Sequence, residues 1–145
     1  MKTKIYAESD TAHFLETLLF CMESPDRPEL AEKTIYDFSP EFVAGVDSFI
    51  SGFLEFLDGK GFDFERISRL ERSFGGNCYA SLSGAGIGFW DEMDPAGDEL
   101  HALITDYAGA GRFKNIDLSE RDDGKLDLSF IPSALPEYRA KLFAV

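Results

Sequence analysis

The strongest constraint on how this chain can fold lies between Ser39 and Gly61. Ser39 offers a side-chain oxygen to cap a helix, Pro40 suits the first helical position, and Glu41 favours the positive end of a helix. Phe42, Val46, Phe49, Phe53 and Leu57 then recur at helical spacing, and Val43, Ile50 and Leu54 widen the apolar stripe beyond about 100°. Gly59-Lys60-Gly61 stops the run. A helix apolar over so wide an arc belongs at the centre of a core, so the remaining elements are expected to pack around it.

With 145 residues the chain is expected to form one domain, 1–145, and to bury roughly two-thirds of its unfolded surface without staples. Fourteen phenylalanines predict an aromatic-rich core. The net charge is −13, and the excess is even: residues 1–75 hold 15 acids and 8 bases, residues 76–145 hold 12 and 6. An evenly acidic surface argues against direct binding to nucleic acid or an anionic membrane, both of which need basic patches. It suits a basic protein surface, and it also keeps a protein soluble. Cys21 and Cys78 lie far apart in apolar contexts without metal or redox spacing, which predicts buried thiols in a reducing compartment. The segment MKTKIYAESD lacks the apolar run of a signal peptide and no stretch approaches a membrane span, so the expected location is cytoplasmic.

Along the chain, Lys2 to Ala7 reads as a short strand or frayed end. Asp10 is a candidate cap for a helix from Thr11 to about Glu23, with Leu15, Leu18, Leu19 and Met22 on one face and Phe14 and Phe20 widening it. Pro25 and Pro28 end that helix. Residues 24 to 39 read as irregular, with one helical turn near Glu29 to Lys33. Asp63 is placed to cap a helix from Phe64 to about Ser73, whose Arg66, Arg69 and Arg72 interleave with Glu65 and Glu71 as a salt-bridged face. Asp94-Pro95 repeats the cap-plus-proline signal, and Leu100, Leu103, Ile104 and Tyr107 mark the inner face of the helix that follows. Phe113 to Leu118 and Lys125 to Phe130 read as strands joined by an Asp122-Asp123-Gly124 turn. Pro132 and Pro136 frame a last connection before a short helix, Glu137 to Phe143. The pattern predicts an α+β fold: N-terminal helices packed on a small antiparallel sheet of about three to five strands, with one helix between two hairpins.

The unusual local chemistry is concentrated in Ser81 to Asp98, SLSGAGIGFWDEMDPAGD. Gly84, Gly86 and Gly88 alternate and the only tryptophan, Trp90, follows. One reading is a β-hairpin, with Asn77 to Ser83 and Ile87 to Trp90 as strands, Ser83 to Gly86 as the turn, and Trp90 or Phe89 covering Gly88 or Gly86. A phosphate cradle fits poorly, because the spacing is G-x-G-x-G, no lysine follows, and carboxylates would repel the ligand. Asp91, Glu92, Asp94, Asp98 and Glu99 could in principle meet a divalent cation, but no Asp-led loop has the glycine of an EF-hand, and Asp94 serves as a helix cap. His101 lies one turn beyond Asp98, where an ordinary helix contact explains it. No nucleophile has an identifiable base, so no catalytic residue, metal ligand or cofactor is assigned.

The run LSGAGIGFWDE resembles the N-G-H-G-A-G-F-W-D signature of a family of small uncharacterised proteins of tailed bacteriophages and prophages. The family's later D-D-G-K turn has its counterpart in Asp122-Asp123-Gly124-Lys125, and Phe14 to Glu55 resembles its opening pair of helices. Ala85 stands where the family commonly has histidine and Ser83 where it has asparagine, so chemistry resting on that histidine does not carry over. The resemblance implies an origin more than a mechanism. Together with the charge it leads to one expectation: a non-enzymatic acidic accessory protein that binds a host protein with a basic surface, as a DNA mimic or anti-defence inhibitor would. The contact residues expected are Asp91, Glu92, Asp94, Asp98 and Glu99, with Trp90 as an anchor if exposed, although a ring of that size is expected to lie in the core. The alternative is small-molecule or divalent-metal binding, enzymatic or not, centred on Gly84 to Gly88 and the acids after them.

Overall fold

The computed structural model describes the backbone of residues 2–129 and 135–144, and the side chains of 9–129 and 137–144. The described order is α1 (Lys2–Met22), α2 (Pro40–Gly59), α3 (Phe74–Ser83), α4 (Pro95–Ala108), β1 (Leu118–Glu120), β2 (Leu126–Leu128) and α5 (Leu135–Phe143). Short 3-10 turns lie at Pro28–Leu30, Ile35–Asp37, Phe64–Arg69 and Phe89–Asp91. The chain is mostly helical, with a small antiparallel sheet in which Leu118 faces Leu128 and Glu120 faces Leu126.

Ser39 caps α2 by accepting the Phe42 N–H at 3.1 Å, and Pro40 takes the first helical position. The apolar stripe is buried along its whole length: Phe42, Val46, Phe49, Ile50, Phe53, Leu54 and Leu57. α1, α4 and α5 pack against α2, and α3 packs against α1 and α4. The rings interlock at Phe113, whose neighbours are Phe14 (centroids 5.2 Å apart), Phe49 (5.0 Å), Tyr79 (6.2 Å) and Phe143 (6.1 Å). Phe113 sits in the turn after α4 and donates its backbone N–H to Leu82 O at 2.8 Å, satisfying a carbonyl left open at the end of α3.

A second fastening is polar. Asp127 on β2 is only 1% exposed. Its carboxylate accepts from the Ser39 hydroxyl (2.8 Å), Arg139 of α5 (2.7 Å) and Arg121 (3.5 Å). Ser39 also donates its N–H to Leu126 O at 2.8 Å, so the start of α2, the sheet and the last helix meet at one carboxylate.

Several expectations are corrected. α1 starts at Lys2, not after Asp10, because nothing between them breaks a helix. Asp10 lies inside α1 and is buried against α3, where the Gly75 N–H interacts with its carboxylate; it serves the N-terminus of another helix than its own. Burial pushes its pKa up to about 6, against the pull of His13 and Gly75. The expected hairpin over 77–90 does not form. Ser73 caps α3, and Phe74, Cys78 and Leu82 bury one helical face while Tyr79 buries beside it. Gly75 and Gly76 open this helix rather than break the chain: a β-carbon on Gly75 would collide with the Asp10 carbonyl of α1.

The helix expected from Phe64 to Ser73 is a 3-10 turn ending at Arg69, because Leu70 and Ser73 are extended to carry the chain into α3. Asn115, at φ 88°, breaks the early part of the expected first strand, which begins only at Leu118. Among the described residues the sheet has two strands rather than three to five, and α4 precedes a single hairpin. Cys21 is exposed, whereas Cys78 is buried; both are free. Phe130 and Pro132 lie outside the described residues.

Candidate functional site

The segment from Ser81 to Glu99 closes one end of α3 and opens α4. Gly84 ends α3 in the left-handed conformation (φ 78°), the usual role of glycine after a helix. Residues 84 to 87 are exposed. Gly88 is buried, and a β-carbon there would come within 2.6 Å of both Ser81 Oγ and Trp90 Cζ3, so the indole does lie over it. The Gly88 N–H donates to Asp91 Oδ2 (2.9 Å) and the Phe89 N–H to Ser81 Oγ (2.9 Å). Phe89 is fully buried against Phe74, with centroids 5.6 Å apart.

These bonds bear on the phosphate and metal readings. The two N–H groups that a phosphate would need after the last glycine are already taken by Asp91 and Ser81. Among the described residues, no group of three or more His, Cys, Asp or Glu side chains is arranged to hold a metal ion.

The acidic residues divide by their partners. Glu92 accepts from the Glu71 N–H (2.5 Å), the Arg72 N–H (3.0 Å) and Asn77 Nδ2 (2.8 Å), tying the approach to α3 onto the Phe89–Asp91 turn. Asp91 adds an ion pair with Arg72 at 3.6 Å. Asp94 caps α4 by accepting the Ala96 N–H at 2.9 Å. Glu99 pairs with Arg66 at 2.5 Å, and Arg66 also stacks over the Phe62 ring. The arginine face anticipated around Arg66 and Arg72 is therefore partly neutralised by acids of this segment. Asp98 is exposed, and its carboxylate has no hydrogen bond or ion pair with any described residue.

Glu92 thus acts first as a fastener. Glu92→Ala is expected to lose about 2–3 kcal/mol, the size of a set of charge-assisted bonds whose donors are left open. Urea unfolding followed by circular dichroism measures it, and a loss below about 0.5 kcal/mol would show the carboxylate to be free for other work.

The apolar part of the site is more exposed than the composition suggests. Trp90 is 38% exposed, with its ring edge-on to His101 at 4.9 Å, and Met93 is 83% exposed. Ile87 is also exposed. Met93 and Ile87 are absent from the residues picked on sequence grounds. The signal available for Met93 was its position between Glu92 and the Asp94 cap, a linker between two fixed points with no helical face to bury. Trp90, Met93 and Ile87 therefore share a short surface segment with Asp91, Asp94 and Asp98. Neither a protein-family model, nor a curated protein, nor a solved structure matches this chain.

Proposed function

We propose that the chain is a non-enzymatic acidic binding protein of the kind tailed phages and prophages encode, acting in the cytoplasm on a host protein with a basic surface. The observation that carries this reading is the exposure of Trp90 and Met93 beside carboxylates, in a chain of net charge −13. Exposed aromatic and thioether side chains supply contact area, and surrounding acids select a basic partner and speed encounter. A surface that normally holds DNA is such a partner, so the chain acts by occupying it in place of nucleic acid.

Because Asp91, Glu92 and Asp94 have internal partners, the charge contact is tested at Asp98, and the apolar contact at Trp90 and Met93. Tagged protein is used to capture host proteins at low salt, and the captured protein is then assayed for DNA binding in competition. Trp90→Ala with Met93→Ala, and separately Asp98→Lys, are expected to weaken capture about tenfold or more while leaving the circular dichroism spectrum unchanged. The captured protein is expected to elute as salt rises and to release DNA when this chain binds. Capture that is indifferent to these substitutions, or a captured protein that keeps its DNA, would overturn the reading.

A further inference from the structure

A second surface lies away from this segment in sequence. A groove of about 340 Å³ runs between the C-terminal half of α1 and the turn at Ile35–Asp37, lined by Glu16, Leu19, Phe20, Glu23, Ile35 and Tyr36. We propose that this groove docks a basic, amphipathic segment of a protein partner. The proposal extends the reading of the chain as a binder of basic proteins and rests on it for the partner's class, but not on the Trp90 surface.

Three observations converge. The first is apolar area. Phe20 is 76% exposed and Tyr36 82% exposed, and both border the same depression floored by Leu19 and Ile35. Two large rings flanking one groove form a contiguous patch rather than scattered surface residues.

The second is rigidity. Phe20 stands on a helix. Tyr36 stands on a turn closed reciprocally: the Thr34 hydroxyl accepts the Tyr36 N–H (3.3 Å) and Asp37 accepts the Thr34 N–H (2.8 Å). Lys125 Nζ donates to Tyr36 O at 3.3 Å and ties the same turn to the hairpin. Groups held in place before binding lose less entropy on association.

The third is charge. Glu16 on α1 and Glu23, the first residue past its end, whose N–H still bonds to Leu19 O, edge the groove seven residues apart, about 10 Å at a rise of ~1.5 Å per residue. Neither carboxylate has a hydrogen bond or ion pair with any described residue. The basic side chains of the neighbouring connection are engaged elsewhere, Arg27 with Glu29 and Asp117, and Lys33 with Glu120. The groove is thus apolar in its floor and negative at its edge. It matches a helix that carries Lys or Arg at heptad spacing with apolar residues three and four positions in. A net charge of −13 disfavours a second copy of this chain, nucleic acid or an anionic membrane as the occupant.

The test uses the full chain and a fluorescein-labelled helical peptide of about four turns (~14 residues), with lysines at heptad spacing and leucines between them. A second peptide replaces each lysine by glutamine. Fluorescence anisotropy is expected to show saturable binding of the lysine peptide, about tenfold weaker binding of the glutamine peptide, and loss of affinity as salt rises. Phe20→Ala with Tyr36→Ala, and separately Glu16→Gln with Glu23→Gln, are each expected to weaken binding about tenfold. Trp90→Ala with Met93→Ala is expected to leave it unchanged. All the substituted side chains are exposed, so unchanged circular dichroism is expected and is checked for each variant.

Loss of binding only in the Trp90/Met93 variant would overturn the groove and leave the proposed function standing. Equal binding of the two peptides would overturn the basic occupant. No saturable binding of the lysine peptide up to about 100 µM, the weak end of transient recognition, would overturn the docking role itself. Sedimentation velocity of the protein alone covers the remaining occupant: a dimer dispersed by Phe20→Ala with Tyr36→Ala would assign the groove to a second copy and overturn the proposal.

Discussion

Asp127→Ala is expected to cost about 3–5 kcal/mol of folding stability, the size seen when one partner is removed from a buried ion pair. The substitution leaves the Arg139 guanidinium without its hydrogen-bonded counter-charge and the Ser39 hydroxyl without its acceptor. Three elements lose their common point at once, so α5 is expected to loosen from α2 before the rest of the core unfolds. Native-state hydrogen exchange measures the local opening and urea unfolding the global loss. A cost below about 1 kcal/mol would show that the ion pairs barely offset their own desolvation.

The pH dependence has a defined sign. Burial alone would raise the Asp127 pKa, but the hydrogen bonds from Arg139, the Leu128 N–H and Ser39 outweigh it and hold the carboxyl below its ordinary value. Its contribution is therefore present above the unfolded value of about 3.9 and is lost as pH falls through the folded value. The gap between wild type and Asp127→Ala should narrow below about pH 4. Asp10 acts in the opposite sense. With its pKa raised to about 6, its contribution is full below the unfolded value and disappears as pH rises through about 6. The wild-type protein should thus gain stability from Asp10 on mild acidification, before the loss at Asp127 begins.

Phe113→Ala is expected to cost about 3–5 kcal/mol, the range for removing a buried phenylalanine. The ring is 1% exposed and meets four other rings from α1, α2, α3 and α5, so no single helix can move to fill the space. Phe113→Leu keeps most of the volume and should cost less than about 1.5 kcal/mol. The backbone bond to Leu82 O survives both changes, so the difference between them reads packing alone. Denaturant midpoints at constant slope measure it. Equal losses for the two variants would mean that the turn, not the ring, holds the core.

α2 and α4 were legible in the sequence because both carry a local start signal, Ser39-Pro40 and Asp94-Pro95, ahead of a one-sided apolar stripe. The β1–β2 hairpin was legible from its Asp-Asp-Gly turn. α3 was not, for a physical reason. Residues 74 to 80 are all buried, so both an alternating and a helical pattern fit them, and periodicity loses its power where no face meets water. Gly75 and Gly76 carry no local sign of a helix, because the helix they approach is some sixty residues away in sequence.

The acids of the candidate site failed to reveal their roles in the same way. The donors to Glu92 at Glu71, Arg72 and Asn77 lie 15 to 21 residues upstream, so a carboxylate that fastens two segments looks like one that faces solvent. Phe20 was counted as widening the buried face of α1. Leu15, Leu18 and Leu19 fill that face, and the ring is left outside it.

The contact at Gly75 limits how this chain can diverge. α1 and α3 meet there backbone to side-chain position, with no rotamer between them that could be repacked. Most core positions can drift through compensating changes in size. This one cannot, because the collision would be with a carbonyl and not with a side chain. A lineage that keeps this pairing of helices must therefore keep glycine at that point, whatever becomes of its charges or its partner.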